Sequence, residues 1–169
     1  MSEIIVIGGG AAGMMAAIAA SERGHHVVLL EKNEKLGKKL FITGKGRCNV
    51  TNAADLETLF ANVCSNAKFL YSAFYGFDNR AVMDMVERAG CPLKIERGER
   101  VFPVSDHSSD VIAAFTRKLK QCGAEIRLHA EVKALLCEAA EASGEPESDE
   151  RSKASDGKTG IRQQIKGVQ

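Results

Sequence analysis

The fold turns on residues 3–32, "EIIVIGGGAAGMMAAIAASERGHHVVLLEK". Residues 3–7 are a short apolar, β-branched run of the kind buried in a parallel sheet. Glycines follow, then an Ala/Met-rich helical stretch that ends at Gly24, a natural residue to close a helix. "HVVLLEK" is a second apolar strand. The β-α-β unit closes within about 30 residues, the length of a right-handed crossover. Its glycines stand at Gly8, Gly10 and Gly13, after a strand and at the mouth of a helix, and Glu31 comes eighteen residues after Gly13 at the end of the next strand. Together these make the dinucleotide-binding fingerprint, which a lone G-x-G-x-x-G does not. Gly8 suits the tight turn, Gly10 lets backbone approach a pyrophosphate, and Gly13 lets helix and strand pack closely. The helix N-terminus offers amide donors and positive dipole to phosphate. Glu31 is placed to accept hydrogen bonds from an adenosine ribose, and its charge opposes a 2′-phosphate, which argues against NADP at this position.

Outward from this unit, residues 32–52 read as a basic, glycine-containing loop. "EKLGKKLFITGKGRCN" (34–49) carries five basic residues between Lys35 and Arg47. A plain NAD domain would be expected to begin another crossover helix here. A basic loop leaving the second strand stands instead where the rest of a longer cofactor would lie, so the loop favours FAD. The alternatives are a solvated basic loop and a nucleic-acid patch. The second is weak, because the loop has no interleaved aromatics and the chain is near neutral.

Helical spacing recurs in "DLETLFANV", "AKFLYSAFYGF" and "NRAVMDMVERAG", so 53–106 is expected to be a mostly helical insertion. It closes with "LKIERGERVFPVS", extended segments around a turn that read as a β-meander hairpin. "SDHSSDVIAAFTRKLKQCG" is a helix with Ser or Asp as N-cap and Gly123 as terminator. "AEIRLH" makes a third strand, followed by "EVKALLCE". Residues 138–160 lose all apolar periodicity and read as a solvated, flexible loop. "IRQQIKGV" (161–168) is one more strand, paired with 131–137 across it. The expected class is α/β: a Rossmann-type FAD-binding domain over 1–169 with a parallel sheet. That sheet is expected to be incomplete at its C-terminal end, with no substrate domain in the 169 residues.

Composition bounds the rest. The 169 residues are 44% hydrophobic and 27% charged with net charge +1, so no global field recruits nucleic acid or an anionic membrane. The chain opens directly into a strand without the regions of a secretory signal. Its longest weakly polar run, "AAGMMAAIAA", falls short of the roughly 20 residues of a membrane span. The five cysteines are scattered with no C-x-x-C pair, which argues against a disulfide framework or a metal site and for a cytoplasmic setting. His25-His26 sits in an expected turn as an exposed pair.

At residues 37–52, "GKKLFITGKGRCNVTN", and 98–111, "GERVFPVSDHSSDV", the chain resembles the BaiN/RdsA-type FAD-dependent oxidoreductases. This is a bacterial flavoprotein family linked to aminoacetone oxidation and to bile-acid double-bond reduction. The resemblance implies a composite FAD site. Gly8, Gly10, Ala12 and Gly13 would bind the pyrophosphate, and Glu31 with Lys32 the adenosine. Lys39, Thr43, Gly44, Arg47, Cys48 and Asn49 would line the central and flavin end, with the Val132 backbone at the adenine. A nicotinamide, NAD(P)H, would serve as electron donor to a small-molecule substrate. Family members run well beyond this length, into further strands and a substrate-side domain.

Several side chains have two readings. Cys48 near a flavin could exchange electrons with it, but flavin–disulfide chemistry needs a second cysteine, and packing is the plainer role. Arg47 suits an anionic reduced flavin or a substrate carboxylate, or else a salt bridge that fixes the loop. His107 beside Asp106 suits acid/base work or a helix cap. Tyr71 and Tyr75 suit stacking on a ligand or a core face. Three roles stand open: an FAD-dependent oxidoreductase represented by its N-terminal region, a non-catalytic FAD- or ADP-binding module, and a chain that pairs with another polypeptide at its unfinished sheet edge.

Overall fold

The computed structural model describes residues 1–139 and 163–168. It divides into two units, Met1–Glu131 and Val132–Gln169.

The first unit is built on a three-stranded sheet of β1 (Glu3–Ile7), β2 (His26–Leu30) and β6 (Glu125–Arg127) in the order β1-β2-β6. All neighbours are parallel, with Ile7 opposite Leu30 and Val28 opposite Glu125. The central strand is the most buried, with Val27 and Leu29 fully covered. This is why it reads as a continuous apolar run rather than an alternating one. Helix α1 (Ala11–Glu22) covers one face, and the chain turns at Gly24 as its sequence suggests. Against it lies α6 (Ser108–Gln121), with Asp110 in its first turn and Lys118 and Lys120 in its last, the polarity that suits a helix dipole. Met14, Ala17, Ile18, Val111, Ala114, Phe115 and Leu119 join the strand residues in one core. Each large apolar side chain there contributes about 1.5–3 kcal/mol of burial.

The stretch expected to be a basic, glycine-containing loop, 32–52, holds regular structure in part. Lys38–Ile42 form a short helix, α2, followed by a tight turn over Thr43–Gly46, and Thr51–Asn52 form a strand, β3. A helix this short gains its stability from its anchors rather than from propensity. The Gly37 amide donates to the Gly9 carbonyl at 2.8 Å, and the Ser108 hydroxyl to the Phe41 carbonyl at 2.9 Å. Strand β3 pairs antiparallel with β5 (Arg100–Pro103), which also pairs with β4 (Leu93–Glu96), giving a second small sheet. The β4–β5 pair is the expected hairpin.

Between β3 and β4 run α3 (Leu56–Ala61), a helical turn at Ala67–Leu70, α4 (Tyr71–Gly76) and α5 (Asn79–Arg88). Asp55 and Asp78 cap α3 and α5 through their carboxylates. Helix α6 differs from expectation: its N-cap is His107, whose side chain makes no capping bond. The hydroxyl of the adjoining Ser108 is turned to Phe41 instead. His26, read both as half of a turn pair with His25 and as the start of the strand "HVVLLEK", is the first residue of β2 and lies 3.7 Å from the Glu3 carboxylate.

In the second unit, β7 (Leu135–Ala139) pairs antiparallel with β8 (Gln163–Val168), with an irregularity between Leu136 and Cys137. This is the pairing expected from the sequence, displaced from 131–137. Most of the expected 138–160 loop lies outside the described residues.

Candidate functional site: a glycine loop locked by Glu31

Because Ile7 and Leu30 are partners in parallel strands, Gly8 and Glu31 leave the sheet at the same edge. The Gly8 amide is still held by the Leu30 carbonyl at 2.8 Å, and Gly8 turns at φ +97°, a conformation that favours glycine. A Cβ on Gly13 would stand 1.8 Å from the Gly8 carbonyl oxygen, so α1 can pack on the loop only with glycine there. The position of a Cβ on Gly10, by contrast, has nothing within 4 Å. Gly10 is also the N-cap of α1, no side chain caps that helix, and its first turn, which includes Ala12, holds no acid. The result is an open, uncapped helix N-terminus beside a tight glycine turn, which suits a phosphate anion. These residues fit the pyrophosphate of a dinucleotide.

Glu31 is buried, at 8% exposure, and its carboxylate is already engaged. Oε2 accepts from the Gly9 amide at 2.7 Å, while Oε1 accepts from the Asn33 amide at 2.8 Å and from Asn33 Nδ2 at 2.6 Å. Burial pushes its pKa up, but the hydrogen bonds from Asn33 and Gly9, aided by Lys32, bring it below the usual carboxylate range. A carboxylate offers about four acceptor positions, so one remains on Oε2 for a ribose hydroxyl. The sequence suggested an acid waiting for a ribose. The structure shows one that first locks the glycine loop.

Gly9 is the hub of that lock, and fingerprint reasoning passed over it. Its amide goes to Glu31 and its carbonyl to Gly37. A Cβ on it would meet Leu36 Cδ2 at 2.3 Å. Gly37, at φ +68°, is equally constrained, since a Cβ there would lie 2.8 Å from Ile112. The "GGG" run itself was the available signal for Gly9. Gly37 carried none, because its partner Gly9 is distant in sequence, and Asn33, although only two residues from Glu31, lies outside the fingerprint spacing.

The remaining residues of the basic loop gather on the β3–β5–β4 sheet. Gly44 sits against Phe102, and the Thr43 hydroxyl donates to the Leu40 carbonyl at 2.8 Å. Arg47 Nε donates to Asp106 Oδ1 at 2.7 Å, its Nη2 bonds Glu96, and its guanidinium lies 4.2 Å from the Phe102 ring centroid. Lys94 completes the cluster at 2.8 Å from Asp106 and 3.5 Å from Glu96. Hydrogen bonds from Arg47 and Lys94 hold the Glu96 and Asp106 carboxyls below their ordinary range. Of the two readings of Arg47, this geometry is that of the loop-fixing salt bridge. Asn49, with its amide turned to donate, reaches the carbonyls of Thr51 at 3.0 Å and Val101 at 3.2 Å. Cys48 is buried in the core, where burial pushes its thiol pKa up against a weaker opposing hydrogen bond with Thr43. That favours packing over redox exchange.

Lys32 and Lys39 are exposed, beside Glu31 and on α2. Val132 belongs to the second unit. His107 is exposed, with its amide 3.3 Å from the Ser105 hydroxyl. Tyr71 and Tyr75 are 44% and 73% exposed, packing with Phe60 and Phe74 in a surface aromatic group instead of a core face. Among the described residues no group of His, Cys, Asp and Glu is placed to hold a metal ion, and no helix is long and apolar enough to cross a membrane.

Comparison with known proteins agrees with this geometry. The chain is 33% identical over 109 residues to the 3-dehydro-bile acid delta(4,6)-reductase of Clostridium scindens, covering 64% of this chain and 26% of that protein. The 3-ketosteroid-delta4-(5alpha)-dehydrogenase of Rhodococcus jostii superposes with a TM-score of 0.57 at 14% identity, over 80% of this chain and 39% of that one. THI4 of Thermovibrio ammonificans does so with a TM-score of 0.53 at 12% identity, over 81% and 41%. The chain thus spans about a quarter of that reductase and about two-fifths of these structures. The HI0933-like protein Rossmann domain matches residues 2–156. With that match over nearly the whole length, and the glycine turn, uncapped helix and buried acid that such a domain requires, the chain belongs to the HI0933-like Rossmann-domain family of flavoproteins.

Proposed function

We propose that this chain is the FAD-binding part of a flavin-dependent oxidoreductase. The observation that carries the reading is the glycine loop set rigidly between the uncapped α1 N-terminus and the buried Glu31 carboxylate. Gly8, Gly10, Ala12 and Gly13 would hold the pyrophosphate, and Glu31 and Lys32 the adenosine ribose. Lys39, Thr43, Gly44, Arg47, Cys48 and Asn49 would shape the path toward the flavin. On this reading Arg47 and Cys48 act by holding that path in place. When bound, FAD supplies the hydride-transfer chemistry, and the protein supplies binding, orientation and electrostatics. A nicotinamide, NAD(P)H, is the proposed electron donor. The substrate side of the reaction belongs to the part of the relatives that this chain does not span.

That same coverage favours a second reading, in which the chain holds FAD without turning over. One experiment separates the two. The purified chain, with and without added FAD, is examined for flavin bands at about 370 and 450 nm, then mixed anaerobically with NADH or NADPH. Stoichiometric flavin that bleaches with the donor supports the oxidoreductase. Flavin that stays oxidised supports the binding module. A chain that takes up no FAD overturns both.

A further inference from the structure

We propose that Asn33 is a positioning residue of the nucleotide site, which fixes the Glu31 carboxylate and so sets how tightly the ribose end of an adenine dinucleotide is held. The inference rests on the dinucleotide reading above and extends it to a residue outside the fingerprint.

Asn33 lies three residues beyond the end of β2 and meets Glu31 twice. Its main-chain amide and its side-chain Nδ2 both donate to Glu31 Oε1, at 2.8 and 2.6 Å. On its other side, Lys38 Nζ donates to Asn33 Oδ1 at 3.1 Å. An ammonium can only donate, so this contact leaves one orientation for the amide: oxygen toward the lysine, nitrogen toward the carboxylate. Two lines of donors converge on the Glu31 carboxylate, one from Lys38 through Asn33 to Oε1 and one from the Gly9 amide to Oε2. Together they saturate Oε1 and leave the spare acceptor on Oε2, the oxygen that also holds the glycine loop. The clamp therefore chooses which carboxylate oxygen can meet a ribose hydroxyl.

The chemistry required of position 33 is narrow. Alanine would remove the side-chain donor. Aspartate would keep the shape but set a second carboxylate against the first, and two carboxylates sharing a site raise one of their pKa values strongly. The surrounding charges do not remove that conflict. Lys32, Lys35 and Lys38 are the cations of this segment, and Glu34 is a further anion in it. From the β6 side, Arg127 accepts the Glu31 amide on its carbonyl while its guanidinium pairs with Glu125. His129 donates its backbone amide to the Asn33 carbonyl. The glycine loop and the first turn of α1, residues 8–14, contribute no ionisable side chain.

The test measures FAD and ADP affinity by calorimetry for the full chain, wild type, Asn33→Asp and Asn33→Ala, at pH 8 and pH 5.5. Comparing each variant with wild type at the same pH removes the effects of pH that are common to both, titration of the ligand included. Asn33→Asp is expected to bind about tenfold more weakly than wild type at pH 8 and to regain affinity towards wild type as the pH falls to 5.5, because protonation relieves the repulsion between the two carboxylates. Asn33→Ala is expected to be weaker at both pH values by the same factor. A merely structural residue would give no recovery specific to aspartate. Wild type that binds while both variants bind equally well overturns the role of Asn33 alone, as does a deficit in Asn33→Asp that is the same at both pH values. Wild type that binds neither FAD nor ADP overturns the dinucleotide reading, and this inference with it.

Discussion

The carbonyl oxygen of Gly8 occupies the space that a side chain on Gly13 would need, 1.8 Å from where its Cβ would stand. The obstruction is backbone, so it cannot swing aside. Gly13→Ala must push α1 away from the loop, at a cost of about 1–3 kcal/mol from overpacking. Chemical denaturation is expected to show that loss together with weakened FAD binding. Unchanged stability would mean that α1 rides more loosely on β1 than this contact implies.

Glu96 and Asp106 predict an acid-side effect. Hydrogen bonds from Arg47 and from Lys94, respectively, lower their pKa values from the ordinary 4.5 and 3.8. Depressed carboxyls stabilise the fold fully above those ordinary values and lose that contribution as the pH falls through the lowered ones. Thermal unfolding of wild type is therefore expected to fall faster below about pH 4.5 than that of Glu96→Gln with Asp106→Asn. Superimposable profiles would show that the cluster contributes nothing through its charge. Arg47→Lys is expected to behave like a partial loss, since an ammonium cannot bond both acids and also stack on Phe102.

Thiol chemistry is expected to follow burial. Cys64 is exposed, whereas Cys48 and Cys91 are buried with pKa values pushed up by that burial. Under native conditions an alkylating reagent should label Cys64 well ahead of Cys48 and Cys91, as read by peptide mass mapping. Rapid labelling of Cys48 would reopen a redox role for it.

Asn79 ties helix α5 to the end of the basic loop. It is buried, and its Nδ2 donates to the carbonyls of Asn52 at 2.6 Å and Ala54 at 2.8 Å. Asn79→Asp would set a carboxylate against two acceptors, costing about 1–3 kcal/mol or more. Urea unfolding reads this directly, and a neutral result would mean that the loop end reorganises freely.

What could be read from the sequence was what has a local cause. Gly8, Gly13 and Glu31 announce themselves because a tight turn, a helix packed on it and a strand end follow one another in order. Arg47 was visible as a cation, but its partners Glu96 and Asp106 stand 49 and 59 residues away. Nothing at position 47 could therefore choose between a ligand and a salt bridge. The short α2 was hidden for a similar reason. Lys38–Ile42 has little intrinsic cause to be helical, and its anchors at Gly9 and Ser108 appear only once the chain is folded. Tyr71 and Tyr75 show the converse error, since helical spacing of aromatics suggested a core face and gave a surface group.

The Gly9 peptide is spoken for at both ends, by Glu31 on its nitrogen and Gly37 on its oxygen. A cradle closed in this way is preorganised: an incoming diphosphate meets donors already aimed, and little chain entropy is left to lose on binding. Association at this end of the site should then proceed in a single kinetic phase, with affinity differences among loop variants appearing in how fast the ligand leaves.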